Sequence, residues 1–260
     1  EWRGFMLDCA RNFYPVEFIY KLLDALALHK INRFHWHLTD DQGWRIPIKE
    51  YPLLTEVGAW RDDCRYTWEE KVGGFYTEDD IKAVVKKAAD LHITVVPEIE
   101  TPGHSSSILA AYPNLGCTGG PYNVESRFGI FDDVLCSGND EIFTLYEKVF
   151  DTVCRLFPGP YVHIGGHECP RKRWEVCPKC QQRKKDLGLE PEDAKVPVNI
   201  IVLSDKEMRH YMVTMPIAEF KEKVAEVVIN EIKPIQERYN YFLNSKELDE
   251  ILDEGIDAAC

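Results

Sequence analysis

Short apolar runs alternate with longer amphipathic patterns over residues 1–190, and this alternation restricts the fold more than any other feature of the chain. In order the segments read GFMLD, VEFIYKLLDALALHK, RFHWHLT, TEDDIKAVVKKAADLH, ITVVPEIE, NDEIFTLYEKVFDTVCRLF and YVHIGG. The long segments repeat apolar residues at three- and four-residue steps, as in Phe18, Leu22, Leu23 and Leu26 or Ile81, Val84, Val85 and Ala88, which is the spacing of one helix face. Thr77 followed by Asp80 resembles a capping box at the start of its helix. The short runs are apolar on both faces, as strands of a parallel sheet covered by helices must be. The pattern predicts an α/β fold of successive β/α units.

Ionisable residues gather just after each predicted strand: Asp8 and Arg11, then Asp40 and Asp41, then Glu100 and His104, then His167 and Glu168. One such residue is as readily a helix cap or a solvated loop charge. Four strands ending this way point to the carboxyl-terminal face of a barrel, where such folds place their chemistry.

A formal net charge of −13 excludes a nucleic-acid or anionic-membrane surface, which would need a basic face to displace counterions, and suits a neutral or cationic ligand. No apolar run approaches the roughly 20 residues of a bilayer span, and Glu1-Trp2-Arg3 opens into GFMLD without a signal-peptide pattern, as if inside a domain. Nine cysteines leave at least one thiol outside any intrachain disulfide set. Cys117 and Cys136 flank a Gly/Pro-rich loop that a disulfide could close. A zinc set of His167, Cys169, Cys177 and Cys180 has suitable donors, but its spacing matches no common zinc module, so thiols in a helix-capping turn are the favoured reading.

RGFMLDCARNF, HWHLTDDQGWR, PEIETPGH and HIGGHE, taken in order, resemble the successive signatures of family 20 glycoside hydrolases, the β-N-acetylhexosaminidases. The similarity covers about residues 2–190, including GCTGGPYNV and CPKCQQR. It implies a (β/α)8 barrel, of which this chain holds about the first four units, and release of terminal N-acetylhexosamine from glycans. The substrate's own acetamido oxygen acts as nucleophile in that chemistry, so no cofactor is called for. Carried over by position, the resemblance makes Arg11 the fork that holds two sugar hydroxyls. It pairs Asp40 with His104, has Glu100 orient His163 and His163 support Glu168, and makes Glu168 the general acid. His167 stands where the family has an Asp that accepts the acetamido N–H and steadies the oxazolinium cation. Neutral imidazole can accept the hydrogen bond but supplies no anion, so weak or absent turnover is expected. The family also suggests a periplasmic, secreted or lysosomal setting.

The remaining residues are too few for four more β/α units, and a half-barrel would leave a sheet edge for a second copy to cover. A second domain is expected over 191–260, mainly helical and of different origin. Its segment 219–259 resembles the C-terminal helices of bacterial tryptophanyl-tRNA synthetases, without that family's nucleotide-binding motifs, so no aminoacylation follows. The competing functions are a non-catalytic N-acetylhexosamine-binding remnant and an unstable composite chain. A zinc deaminase is set aside, because its His and Glu are separated by one residue and here they are adjacent.

Overall fold

A computed structural model describes residues 2–63 and 71–188. The expected boundary near residue 190 and the tail over 191–260 lie outside the described residues. The elements run β1 (Gly4–Asp8), α1 (Val16–Leu28), β2 (Arg33–His37), β3 (Thr39–Asp40), β4 (Gly43–Trp44), α2 (Leu53–Glu56), β5 (Trp60–Asp62) and β6 (Lys71–Gly73). There follow α3 (Glu78–Asp90), β7 (Thr94–Glu98), α4 (Ser106–Ala111), a 3-10 turn at Pro113–Leu115, α5 (Glu141–Leu156), α6 (Lys172–Val176) and α7 (Pro178–Asp186). The three apolar runs of the β/α pattern form one parallel sheet in the order β1-β2-β7. This is an incomplete barrel wall. The fourth run, YVHIGG, contributes a single parallel bridge from His163 to Glu98 in place of a strand. Gly165 and Gly166 turn left-handed at φ 62° and 91° and stop the ladder there.

Each amphipathic pattern forms its helix because an apolar stripe must be buried against the sheet. In α1 the stripe is Ile19, Leu23 and Leu26, while Phe18 faces outward and stacks on Tyr14 at 4.7 Å. In α3 it is Ile81, Val84 and Ala88, and both halves of the Thr77–Asp80 capping box are made. Lys87 of α3 reaches Asp24 of α1, and Arg155 of α5 forks onto Glu78 of α3, linking the helical layer along its outer side.

Period-two alternation decides what faces inward. Phe34 and Trp36 of β2 are fully buried on one face, and His35 and His37 occupy the other. β1 pairs with β2 along one edge only among the described residues, and Phe5 and Met6 are 42% and 48% exposed. The unequal burial of β1 follows from that open edge.

Candidate active site

The sheet register builds the site. Asp8 stands opposite His37, His37 opposite Glu98, and Glu98 opposite His163, so four polar residues form one row at the carboxyl ends of the strands. Glu98 is the hub of that row. Its carboxylate lies 2.8 Å from His163 Nδ1, 2.6 Å from His35 Nε2 and 3.4 Å from His37 Nδ1. Burial opposes its charge, but these imidazoles hold Glu98 ionised, well below the usual carboxylate range. His37 is held protonated up to about 9, because Asp40 and Glu98 outweigh the cost of its burial.

Past the row, the β3–β4 hairpin raises Asp40 and Asp41 above the strand ends. Asp40 approaches Arg11 Nη2 at 2.8 Å, His37 Nε2 at 3.2 Å and His104 Nδ1 at 3.3 Å. Asp41 accepts from the backbone and hydroxyl of Ser106 at 2.9 and 2.7 Å, so it fixes the start of α4 while its other oxygen lies 3.0 Å from His104 Nδ1. With two carboxylates on Nδ1, burial of His104 is overcome and its proton is held up to about 10. The far nitrogen, Nε2, is buried without a hydrogen-bond partner and lies 3.4 Å from Glu168 Oε2. The result is a chain of contacts from carboxylate through imidazolium to a half-exposed carboxyl group. Both His104 and Glu168 adopt φ of 48°, a left-handed backbone that non-glycine residues seldom take and that is concentrated at functional sites.

Arg45 anchors the arrangement from below. It is 1% exposed and donates to the carbonyls of Cys9, Ala10, Ala59 and Gly74 at 2.6–2.9 Å. Those carbonyls include the turn that carries Asp8 and Arg11, where Asp8 in turn accepts from Arg11 N and Nη1.

His167 and Glu100 form the remaining corner. Glu100 is 1% exposed, neither of its carboxyl oxygens has a hydrogen-bond partner, and His167 Nδ1 lies 3.5 Å away. Burial, then the neighbouring Glu98 charge, pushes Glu100 up to about 8. Gly165 is required here, since a Cβ would strike the Glu100 carboxyl group and the backbone is left-handed. His167, with its ring 5.1 Å from that of His104, is shifted downward by burial and then by the His104 cation. At neutral pH the corner therefore presents a neutral imidazole beside a largely neutral carboxyl.

The structure brings Arg11, Asp40, Glu100, His104, His163, His167 and Glu168 to one end of the sheet, but two pairings differ from the expected ones. His163 meets Glu98 where Glu100 was expected, because Glu98 is the residue in register with it. Glu168 meets His104 where His163 was expected, because the left-handed turn at 165–168 carries it past the strand end. Sequence reasoning gave Glu98, His35 and His37 no role. The alternation of two histidines on one face of RFHWH was the available signal.

The sequence-derived cysteine sets also change. Cys117 and Cys136 are both free, and Cys177 and Cys180 gather with them. Cys169 lies elsewhere, its Cα 3.3 Å from the Cβ position of Gly103. Among the described residues no donor group joins His167 and Cys169 to Cys177 and Cys180.

The chain has relatives among known proteins. The profile of the glycosyl hydrolase family 20 catalytic domain matches residues 1–230. A β-hexosaminidase of Porphyromonas gingivalis is 50% identical over 191 residues, covering 74% of this chain and 24% of that protein. One from Vibrio furnissii is 42% identical over 195 residues, covering 72% and 32%. Among solved structures, a β-N-acetylhexosaminidase superposes with a TM-score of 0.71 at 38% identity over 74% of this chain and 41% of that one. The Vibrio harveyi exo-β-N-acetylglucosaminidase in complex with N-acetylglucosamine gives 0.63 at 39% identity over 72% and 30%. The chain thus spans less than half the length of these relatives. Nothing in these comparisons supports a synthetase-like tail, and the family match itself runs to residue 230.

Proposed function

This chain belongs to glycosyl hydrolase family 20, and we propose from that premise that its strand-end cluster binds a terminal N-acetylhexosamine and cleaves its glycosidic bond with retention. The observation that carries the reading is the contact chain Asp40/Asp41–His104–Glu168, with Arg11 tied to the same Asp40. Arg11 offers a planar fork to two sugar hydroxyls. His104, held by its carboxylates, packs its Nε2 edge 3.4 Å from one oxygen of Glu168 and so positions that side chain, whose other oxygen carries the transferable proton. In the first step the acetamido oxygen attacks the anomeric carbon as Glu168 protonates the departing oxygen, and the leaving alcohol separates from an oxazolinium. In the second, Glu168 takes a proton from water as that water attacks the same carbon and the acetamide re-forms. Two inversions give retention. Hydrolysis of a para-nitrophenyl N-acetyl-β-glucosaminide by the chain, lost in Glu168→Gln, is the expected result; equal rates in both would remove Glu168 from the role.

A second reading, sugar binding with little turnover, is favoured by one specific feature. His167 and Glu100 offer no anion at neutral pH where the oxazolinium charge develops. Calorimetric binding of N-acetylglucosamine without hydrolysis selects this alternative. The Arg11→Met variant then separates a formed sugar site from nonspecific association.

A further inference from the structure

Four cysteines that the proposed sugar chemistry does not use meet behind the loops that carry it. The sulfurs of Cys117, Cys136, Cys177 and Cys180 lie within 4.8 Å of one another, with Cys117–Cys180 and Cys136–Cys177 at 3.7 Å and Cys136–Cys180 at 3.5 Å. All four are free thiols. A disulfide needs about 2 Å between sulfurs, whereas four thiolates about 2.3 Å from a central zinc ion form a tetrahedron with edges of about 3.8 Å. From this geometry we propose that the four cysteines form a closed, structural tetrathiolate site for one zinc ion.

Backbone amides also reach the cluster: the Gly138 N–H is directed at Cys136 and the Cys180 N–H at Cys177, the kind of outer donor that metal-bound sulfurs take. Gly138 makes the first arrangement possible. A side chain there would collide with the backbone of Lys179 and Cys180, so the Cys136 turn can reach the start of α7 only with glycine at that position. Cys177 is the N-cap residue of α7, with Pro178 at the first turn, which places Cys177 and Cys180 on one side of the helix start. Cys136, Cys177 and Cys180 are at most 5% exposed. Four sulfur donors and no oxygen or nitrogen donor in the group select zinc or a similarly thiophilic ion, and leave no open position for catalysis.

The ion would clamp two stretches of the candidate active site. Cys117 and Cys136 close a loop whose ends pair through Gly116 and Leu135, and Leu135 N bonds to Pro102 O beside the His104 turn. Cys177 and Cys180 end the segment that follows Glu168. Lys172–Asp132, Arg173–Asp133 and Trp174 Nε1–Leu135 O already join the two stretches. The test is elemental analysis of the chain purified under reducing conditions, with a cobalt(II) exchange spectrum as a second readout. One zinc per chain, and an intense sulfur-to-cobalt charge-transfer band after exchange, are the expected results. Cys136→Ser should lose the metal, and Cys169→Ser, outside the cluster, should keep it. Should Cys136→Ser fail to fold, the cobalt spectrum of the parent chain decides alone. A metal-free parent with no charge-transfer band, or a non-reducing peptide map showing these cysteines joined as disulfides, overturns the proposal.

Discussion

Replacing His167 with Asp should raise hydrolysis of N-acetylhexosaminides, because it places a negative charge at the one corner, His167 and Glu100, that offers none at neutral pH. His167 is neutral at neutral pH, and its neighbour Glu100 ionises only near pH 8. A carboxylate about 5 Å from the oxazolinium charge, at an effective dielectric of about 20, lowers the transition state by about 3 kcal/mol, near 10²-fold in rate. The His167 side chain is 37% exposed, so screening reduces the gain toward 10-fold, the low end of a range of about 10–10². The assay is kcat/KM for para-nitrophenyl N-acetyl-β-glucosaminide in His167→Asp and parent, with the plain glucoside as control. That control has no acetamido group to orient, and its rate should not move. Above pH 8 the ionised Glu100 supplies part of the missing charge in the parent, so the ratio of variant to parent should narrow. An unchanged rate in His167→Asp, with N-acetylglucosamine binding retained, would refute the electrostatic reasoning.

The same contacts yield three further expectations. Arg45→Met removes the guanidinium donor from four buried carbonyls, of which Ala59 O keeps the Gly74 N–H, and should cost about 3–5 kcal/mol in urea denaturation; a loss below 1 kcal/mol would mean that solvent replaces the guanidinium. Asp41→Asn keeps an acceptor for Ser106 but removes a charge from His104, so the His104 pKa should fall from about 10 and kcat/KM should drop by about 10-fold or more; an unmoved imidazole titration by NMR argues against the pairing. Because the folded-state pKa of Glu100 is raised to about 8, its favourable contribution is complete below the ordinary carboxylate pKa and is lost as pH rises through about 8. Glu100→Gln should therefore gain in stability relative to the parent between about pH 4.5 and 8, read as the difference in Tm, and parallel Tm curves would contradict the shift.

Much of this architecture was legible because it depends on local pattern. The apolar runs of β1, β2 and β7 and the three- and four-residue steps of α1, α3 and α5 announce themselves, and Thr77–Asp80 marks the start of α3 by its own side-chain chemistry. What depends on register was not legible. Glu98 and Glu100 are two apart on ITVVPEIE and share a face by parity, so only pairing with His37 and His163 shows that Glu98 holds the imidazoles while Glu100 is left neutral. The two-residue strands β3 and β4 are too short for a periodic signal, yet they set Asp40 and Asp41. The tetrathiol cluster unites residues up to 63 positions apart, a separation no short spacing motif captures.

The central claim, that Glu168 is the acid delivered by Asp40, Asp41 and His104, is tested most directly by leaving-group dependence. Glu168→Gln and parent are compared on N-acetylglucosaminides that release either an activated dinitrophenolate or an alkyl alcohol, the first of which departs without help and the second only when protonated. The account predicts that Glu168→Gln loses far more kcat/KM, which reports the step of leaving-group departure, on the alkyl glycoside than on the dinitrophenyl one. Equal losses on both, or none on the alkyl substrate, would contradict it.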